Sequence, residues 1–221
     1  MPATRLILVR HGESVAQVEG VVGGPRACRG LSELGRRQVE ALRDRWVTSG
    51  LRADILLSST LPRAIETAEL LRDALGGLEP EPVEDLCEIV PGECDGMTWD
   101  DFETQFRGGD YRWDPHSPVA PGGESWIEFQ TRVSRTIGAI VDRLEGRTIV
   151  AAVHGGVVDG SMVHFLGLPK DAGHVLQTMN ASVTEWLHVD PRSSWEPGGW
   201  RLIRFNDHAH LEGMDFDPGH P

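Results

Sequence analysis

Apolar residues along this chain gather in short runs separated by longer stretches of helical spacing. The runs at 6–9, 55–57, 148–153, 183–189 and 201–205 are rich in Leu, Ile and Val and read as strands. Between them the period changes. Over 34–47, Val39, Leu42 and Trp46 fall on one helical face. Over 61–75 the shared face is Ala64, Ala68, Leu71 and Leu75, and over 124–144 it is Val133, Ile137, Ile140, Val141 and Leu144. Strands alternating with helices predict an α/β fold, a three-layer α/β/α sandwich around a largely parallel sheet. In such sheets ligands collect beyond the carboxyl ends of the strands.

One stretch breaks the alternation. Residues 105–123 set Gly108, Gly109, Pro115, Pro118, Pro121, Gly122 and Gly123 around Tyr111, Trp113 and His116. This reads as a long ordered loop of the kind that forms a lid over a site. With no internal repeat and no composition shift, 1–214 is expected to form a single domain and 215–221 to fray.

Composition narrows the partners. The 221 residues carry a formal net charge of −13, which repels nucleic acid and anionic membrane surfaces. No apolar run approaches the ~18 residues that span a bilayer. The three cysteines, Cys28, Cys87 and Cys94, form no C-x-x-C pair and predict reduced thiols in a cytoplasmic protein. A homodimer is an open option.

Against that acidic background two strand exits stand out. The first run ends in Arg10-His11-Gly12-Glu13. Arg10 offers a planar fork of donors to phosphate oxygens, and His11 is a nitrogen nucleophile that can be neutral near pH 7. Gly12 allows close backbone approach or positive φ. The second exit is Val153-His154-Gly155-Gly156, whose glycines let backbone N–H groups face an anion. Between them, Ser58-Ser59 closes a strand and Pro62 opens a helix with Arg63 in its first turn.

These segments, with Leu86-Cys87-Glu88-Ile89, Leu31-Ser32-Glu33-Leu34-Gly35, Gly122-Gly123-Glu124-Ser125 and Asn180-Ala181-Ser182-Val183, resemble the motifs of the histidine phosphatase (phosphoglycerate mutase-like) superfamily in order and spacing, over residues 5 to about 189. The resemblance implies the phosphoglycerate mutase-like fold. It also implies His11 as the phosphoryl acceptor, His154 as a second catalytic histidine and Glu88 as proton donor. Arg10, Arg63, Gly155 and Gln17 become the residues that bind the substrate phosphate. Glu93 and Asp95 compete with Glu88 for the acid role, because all three lie in one acidic stretch. The segments at 31–35 and 122–125 read as helix starts and caps. Gln17 stands where the family often has Asn, and Gly23-Gly24-Pro25 where it often has a rim Gln, so the substrate contacts differ.

The resulting expectation is a metal-independent phosphomonoesterase of the histidine acid phosphatase type. It acts on a small phosphorylated metabolite through a phosphohistidine and uses no cofactor. Two alternatives are a cofactor-dependent phosphoglycerate mutase, against which the run Glu88-Ile89-Val90-Pro91-Gly92 and the short chain argue, and a non-enzymatic phospholigand-binding module. The arginines are expected to keep His11 neutral. His208 and His210 read mainly as solvated side chains, with metal ligation as the lesser alternative.

Overall fold

The structure is a computed structural model that describes residues 3–108, 112–172, 176–191 and 198–214. Six strands, β1 (Arg5–Arg10), β2 (Ile55–Ser58), β3 (Glu81–Pro82), β4 (Thr148–Val153), β5 (Val183–Val189) and β6 (Gly199–Asp207), form one sheet in the order β3-β2-β4-β1-β5-β6. The four strands from β3 to β1 run parallel, whereas β5 pairs antiparallel with β1, and β6 antiparallel with β5. The sheet is therefore mixed, with its parallel half at the strand ends that carry the motifs.

The helices are α1 (Val15–Val18), α2 (Glu33–Ser49), α3 (Pro62–Leu71), α4 (Trp99–Phe106), α5 (Trp126–Arg143) and α6 (Gly155–Leu166). Side-chain alternation along β1 splits the core between the two sheet faces. Leu6 and Leu8 pack with Val133 and Ile137 of α5 and with Val157, Val158 and Met162 of α6. Ile7 and Val9 pack with Val39, Leu42 and Trp46 of α2 and with Ala68 and Leu71 of α3.

Local chemistry sets the helix ends. Ser32 caps α2 by accepting from Gly35 N, and Gly50, at φ 66°, closes the other end in the left-handed region. Ser125 and Glu128 form a reciprocal capping box on α5, as the glycine-rich segment before it implied. Helix α6 has no signal in the hydrophobic period: residues 156–162 are all buried, so it shows no polar face, and it begins with two glycines.

Candidate active site

Strands β1 and β4 lie side by side, parallel and in register, with Arg10 opposite Val153. The next residue of each is a histidine. His11 N donates to Val153 O at 2.9 Å, and the rings of His11 and His154 meet edge to face with centroids 5.1 Å apart. The chain leaves β1 toward α2 on one face of the sheet and leaves β4 into α6 on the other. This divergence opens the crevice typical of α/β ligand sites. On the far side of β4, β2 ends level with it, and Ser59 and the start of α3 close the third wall.

The hydrogen bonds of His11 determine its tautomer. Arg63 Nε, which can only donate, lies 3.0 Å from His11 Nε2, so Nε2 accepts. The proton therefore sits on Nδ1 and is donated to Gly12 O at 2.7 Å. The Nε2 lone pair then faces Arg63 and the crevice. Burial, more than the neighbouring Arg63 and Arg10, holds the ring well below its ordinary pKa of 6.5. The neutral ring thus owes its state first to desolvation and second to the arginines, the cause expected from the sequence. His154 is depressed well below 6.5 in the same way, by burial first and then by Arg63 and His11.

These two rings make stability pH-dependent. Below about pH 6.5 the unfolded chain binds protons that the native chain refuses, so stability is full above that value and falls as the pH drops through it. The urea midpoint is expected to fall between about pH 7.5 and 5.5, and to fall less in a His11→Gln/His154→Gln variant. An equal slope in that variant would remove these rings as the cause.

The remaining phosphate-binding candidates converge on the same place. Arg63 is buried and its Nη1 donates to Gly23 O at 2.7 Å, which fixes the guanidinium. Arg10 Nη1 donates to Thr178 O. Ser59 Oγ lies 2.7 Å from His154 Nε2. Two buried nitrogens, Arg10 Nε and His154 Nδ1, have no hydrogen-bond partner among the described residues. Unpaired buried polar atoms cost about 1–3 kcal/mol each, and their position beside His11 suits the oxygens of a bound anion. Gly155 is the first residue of α6, where backbone N–H groups lack intrahelical partners. Gln17 lines the cavity, but its amide oxygen accepts from Ser14 N and Asn180 Nδ2 at 3.0 and 3.2 Å, so it also braces the β1 exit. Gly12 serves close approach rather than positive φ: a Cβ there would lie 2.4 Å from Gly35 O of α2.

Geometry separates the three candidate acids. Glu88 lines the cavity; its Oε2 accepts from Gly156 N at 3.0 Å and its Oε1 from Ile89 N at 3.1 Å. Glu93 is exposed. The Asp95 carboxylate accepts from the backbone N–H of Gly24, Arg26 and Ala27 and so staples the 24–27 turn. Sequence reasoning did not single out the support beneath Glu88. Arg132 holds Glu124 bidentately at 2.7 and 2.6 Å and donates to the carbonyls of Asp85, Cys87 and Glu88, while Glu124 accepts from Val90 N. A lone Arg on an amphipathic helix carries no sequence signal for that role.

A Cβ at Gly156 would lie 2.5 Å from Glu88 Oε1 and 2.5 Å from Phe129 Cε1. Gly156→Ala is therefore expected to push Glu88 out of place and to lower turnover by roughly 10–10²-fold, a cost typical of a misplaced reacting group. Unchanged turnover in a variant of native circular dichroism would show that the contact yields harmlessly.

The cavity, about 570 Å³, is completed by Val21, Val22, Pro91, Trp99 and residues 176–178. No described residue of 105–123 lines it; Trp99, from the helix before that stretch, does. Residues 105 and 106 belong to α4, and Tyr111 lies outside the described residues. His208 Nδ1 lies 2.6 Å from Asn206 O, and His210 is half-buried, with burial the first cause lowering its pKa to about 4. Among the described residues no group of three or more His, Cys, Asp or Glu side chains gathers as a metal site.

A strand-exit histidine pair, two arginines and a helix N-terminus around one anion-sized hole define a phosphoryl-handling α/β protein. The family model of the histidine phosphatase superfamily (branch 1) matches residues 6–208, and the chain belongs to that family. It is similar to a glucosyl-3-phosphoglycerate phosphatase of Mycolicibacterium vanbaalenii, 29% identical over 230 aligned positions, with 96% of this chain and 98% of that protein covered. A metal-independent phosphoserine phosphatase of Arabidopsis thaliana is 26% identical, with 96% and 85% covered. Among solved structures, Bacillus stearothermophilus YhfR superposes with a TM-score of 0.79 at 31% identity, covering 95% of this chain and all of that one.

Proposed function

We propose that this chain is a metal-independent phosphomonoesterase for a small phosphorylated metabolite, acting through a phosphohistidine on His11. The observation that carries this reading is the unprotonated Nε2 of His11, in a ring kept neutral first by burial, beside Arg63 in the cavity that the start of α6 also lines. In the first step His11 Nε2 attacks phosphorus as the P–O ester bond breaks, and Glu88 gives its proton to the departing oxygen. Charge spread over the three equatorial oxygens meets Arg10, Arg63, His154 and the α6 amides. The imidazole ring becomes positive as it bonds to phosphorus, and Gly12 O, accepting the Nδ1 proton, stabilises that charge. In the second step the Glu88 carboxylate takes a proton from water, the oxygen attacks phosphorus, the N–P bond breaks and inorganic phosphate leaves.

The fixed cations supply the positive charge that a divalent ion provides elsewhere. Phosphate release from a panel of esters is expected to survive EDTA unchanged. Loss of activity on chelation, with recovery on adding a divalent ion, would overturn the metal-independent part of the reading. We further propose that 3–214 acts as one catalytic unit, and that the free thiols Cys28, Cys87 and Cys94 suit the cytoplasm. No helix among the described residues is long and apolar enough to cross a membrane.

A further inference from the structure

The cavity has two unlike halves. The inner half holds His11, Arg10, Arg63, Glu88 and the start of α6. Beyond these groups the lining is mostly apolar, Ala16, Val21, Val22, Ile89, Pro91, Trp99 and Leu176, with Ser14, Gln17, Gln177 and Thr178 as its uncharged polar members. Among the described residues lining the whole cavity, Arg10 and Arg63 are the two cations, and both are committed to the phosphate hole.

Nearby cations outside the lining are already used. The Arg26 guanidinium donates to the carbonyls of Gly92, Glu93 and Asp95 and pairs with the Asp95 carboxylate. Arg29 pairs with Glu19, and Arg132 with Glu124. Two glycines line the rim where a polar side chain would otherwise reach in. A Cβ at Gly24 would lie 2.4 Å from Pro91 Cγ and 2.6 Å from the Asp95 carboxylate, so the packing itself keeps a side chain out of that position. At Gly23 and Gly24 the wall therefore offers backbone, and the charged side chains of the described lining are confined to Arg10, Arg63 and Glu88, with His11 aside.

We infer that this pocket selects phosphate monoesters whose leaving group is uncharged and largely apolar, seated against Trp99 and the Val22–Ile89 wall. A carboxylate or second phosphate beside Trp99 would lose its water and find no uncommitted cation among the described residues lining the cavity, which also holds Glu88. Buried charge without a partner is strongly unfavourable. A flat or branched apolar group instead removes the exposed face of Trp99, which is 41% accessible, from water. The same argument disfavours substrates with two anionic ends, as a phosphoglycerate mutase would need.

The kinetic arm of the test rests on the phosphatase reading; the binding arm does not. In the binding arm, calorimetry compares 2-phenylethylphosphonate with 2-carboxyethylphosphonate, which share the phosphonate and differ at the far end. The aryl ligand is expected to bind at least about tenfold tighter, and Trp99→Ala to remove most of that margin. In the kinetic arm, kcat/KM for 2-phenylethyl phosphate should exceed that for 3-phosphoglycerate by about tenfold or more. Trp99→Ala should raise KM for the aryl ester with little change in kcat, and by at least about fivefold more than it raises KM for glycerol 3-phosphate. Val22→Arg should narrow the gap by improving 3-phosphoglycerate. Equal or tighter binding of the carboxylate ligand overturns the inference. The expected binding order without turnover of any ester, p-nitrophenyl phosphate included, upholds the inference and overturns the phosphatase reading instead.

Discussion

His11→Ala is expected to lower phosphate release by about 10⁴-fold or more, the scale seen when a nucleophile is removed from a covalent mechanism. The protein should remain folded. The deleted ring takes with it one bond to Gly12 O and one from Arg63 Nε, while Arg63 keeps its anchor on Gly23 O. The β1–β4 ladder does not depend on the side chain, because the bond to Val153 O comes from the His11 backbone. Native circular dichroism with lost turnover is therefore the expected pair of results. A base quench of the wild-type reaction should trap an acid-labile, base-stable phosphoryl group on His11. Near-wild-type activity in the variant, or the adduct mapping to another residue, would end the proposed mechanism.

Glu88→Gln is expected to cost roughly 10²–10⁴ in turnover on esters with poor alkoxide leaving groups, the usual range for a general acid. The loss on p-nitrophenyl phosphate should be far smaller where phosphoenzyme formation is slow, since that leaving group needs little protonation. Gln keeps an oxygen that can accept from Gly156 N, while its amide nitrogen cannot accept from Ile89 N, so the substitution removes the transferable proton at the cost of one local bond. The two neighbouring carboxylates serve as internal controls. Glu93→Gln, at an exposed position, should leave both substrates unaffected. Asp95→Asn weakens the acceptors for Gly24, Arg26 and Ala27, so it should hurt both substrates alike by loosening the turn. Equal losses on both esters for Glu88→Gln would remove Glu88 from the acid role and leave His11 as nucleophile.

The two histidines, the two arginines and the helices bearing the 39–46, 64–75 and 133–141 stripes were legible because each is written in local chemistry. A strand exit, a proline at the first helical turn, a serine cap and a helical period all act within a few residues. Three features were not legible. Helix α6 escaped because it is buried on nearly every side and therefore has no polar period to read. The short α4, which supplies Trp99, was absorbed into the loop reading of the glycine- and proline-rich stretch that follows. The choice among Glu88, Glu93 and Asp95 stayed open because three carboxylates within eight residues look alike until something distant contacts one of them. Gly156 N reaches Glu88 across 68 positions, and Gly24 N reaches Asp95 across 71.

By itself, then, the sequence determined the strand-and-helix alternation, the two glycine-backed histidine exits and an acidic body with a few placed arginines. Those follow from backbone sterics, burial of apolar stripes and net charge, all of which are properties of neighbours in the chain. Only the tertiary structure decided that Nε2 of His11 is the unprotonated nitrogen, that burial ahead of arginine charge keeps both rings neutral, and that Arg132 and Glu124 hold the Glu88 loop. It also decided that a mostly apolar lining around Trp99 adjoins the two arginines, and that Arg26, Arg29 and Arg132 pair with Asp95, Glu19 and Glu124. Solvent exclusion and partner choice depend on which distant segments meet, and one-dimensional spacing carries no record of that.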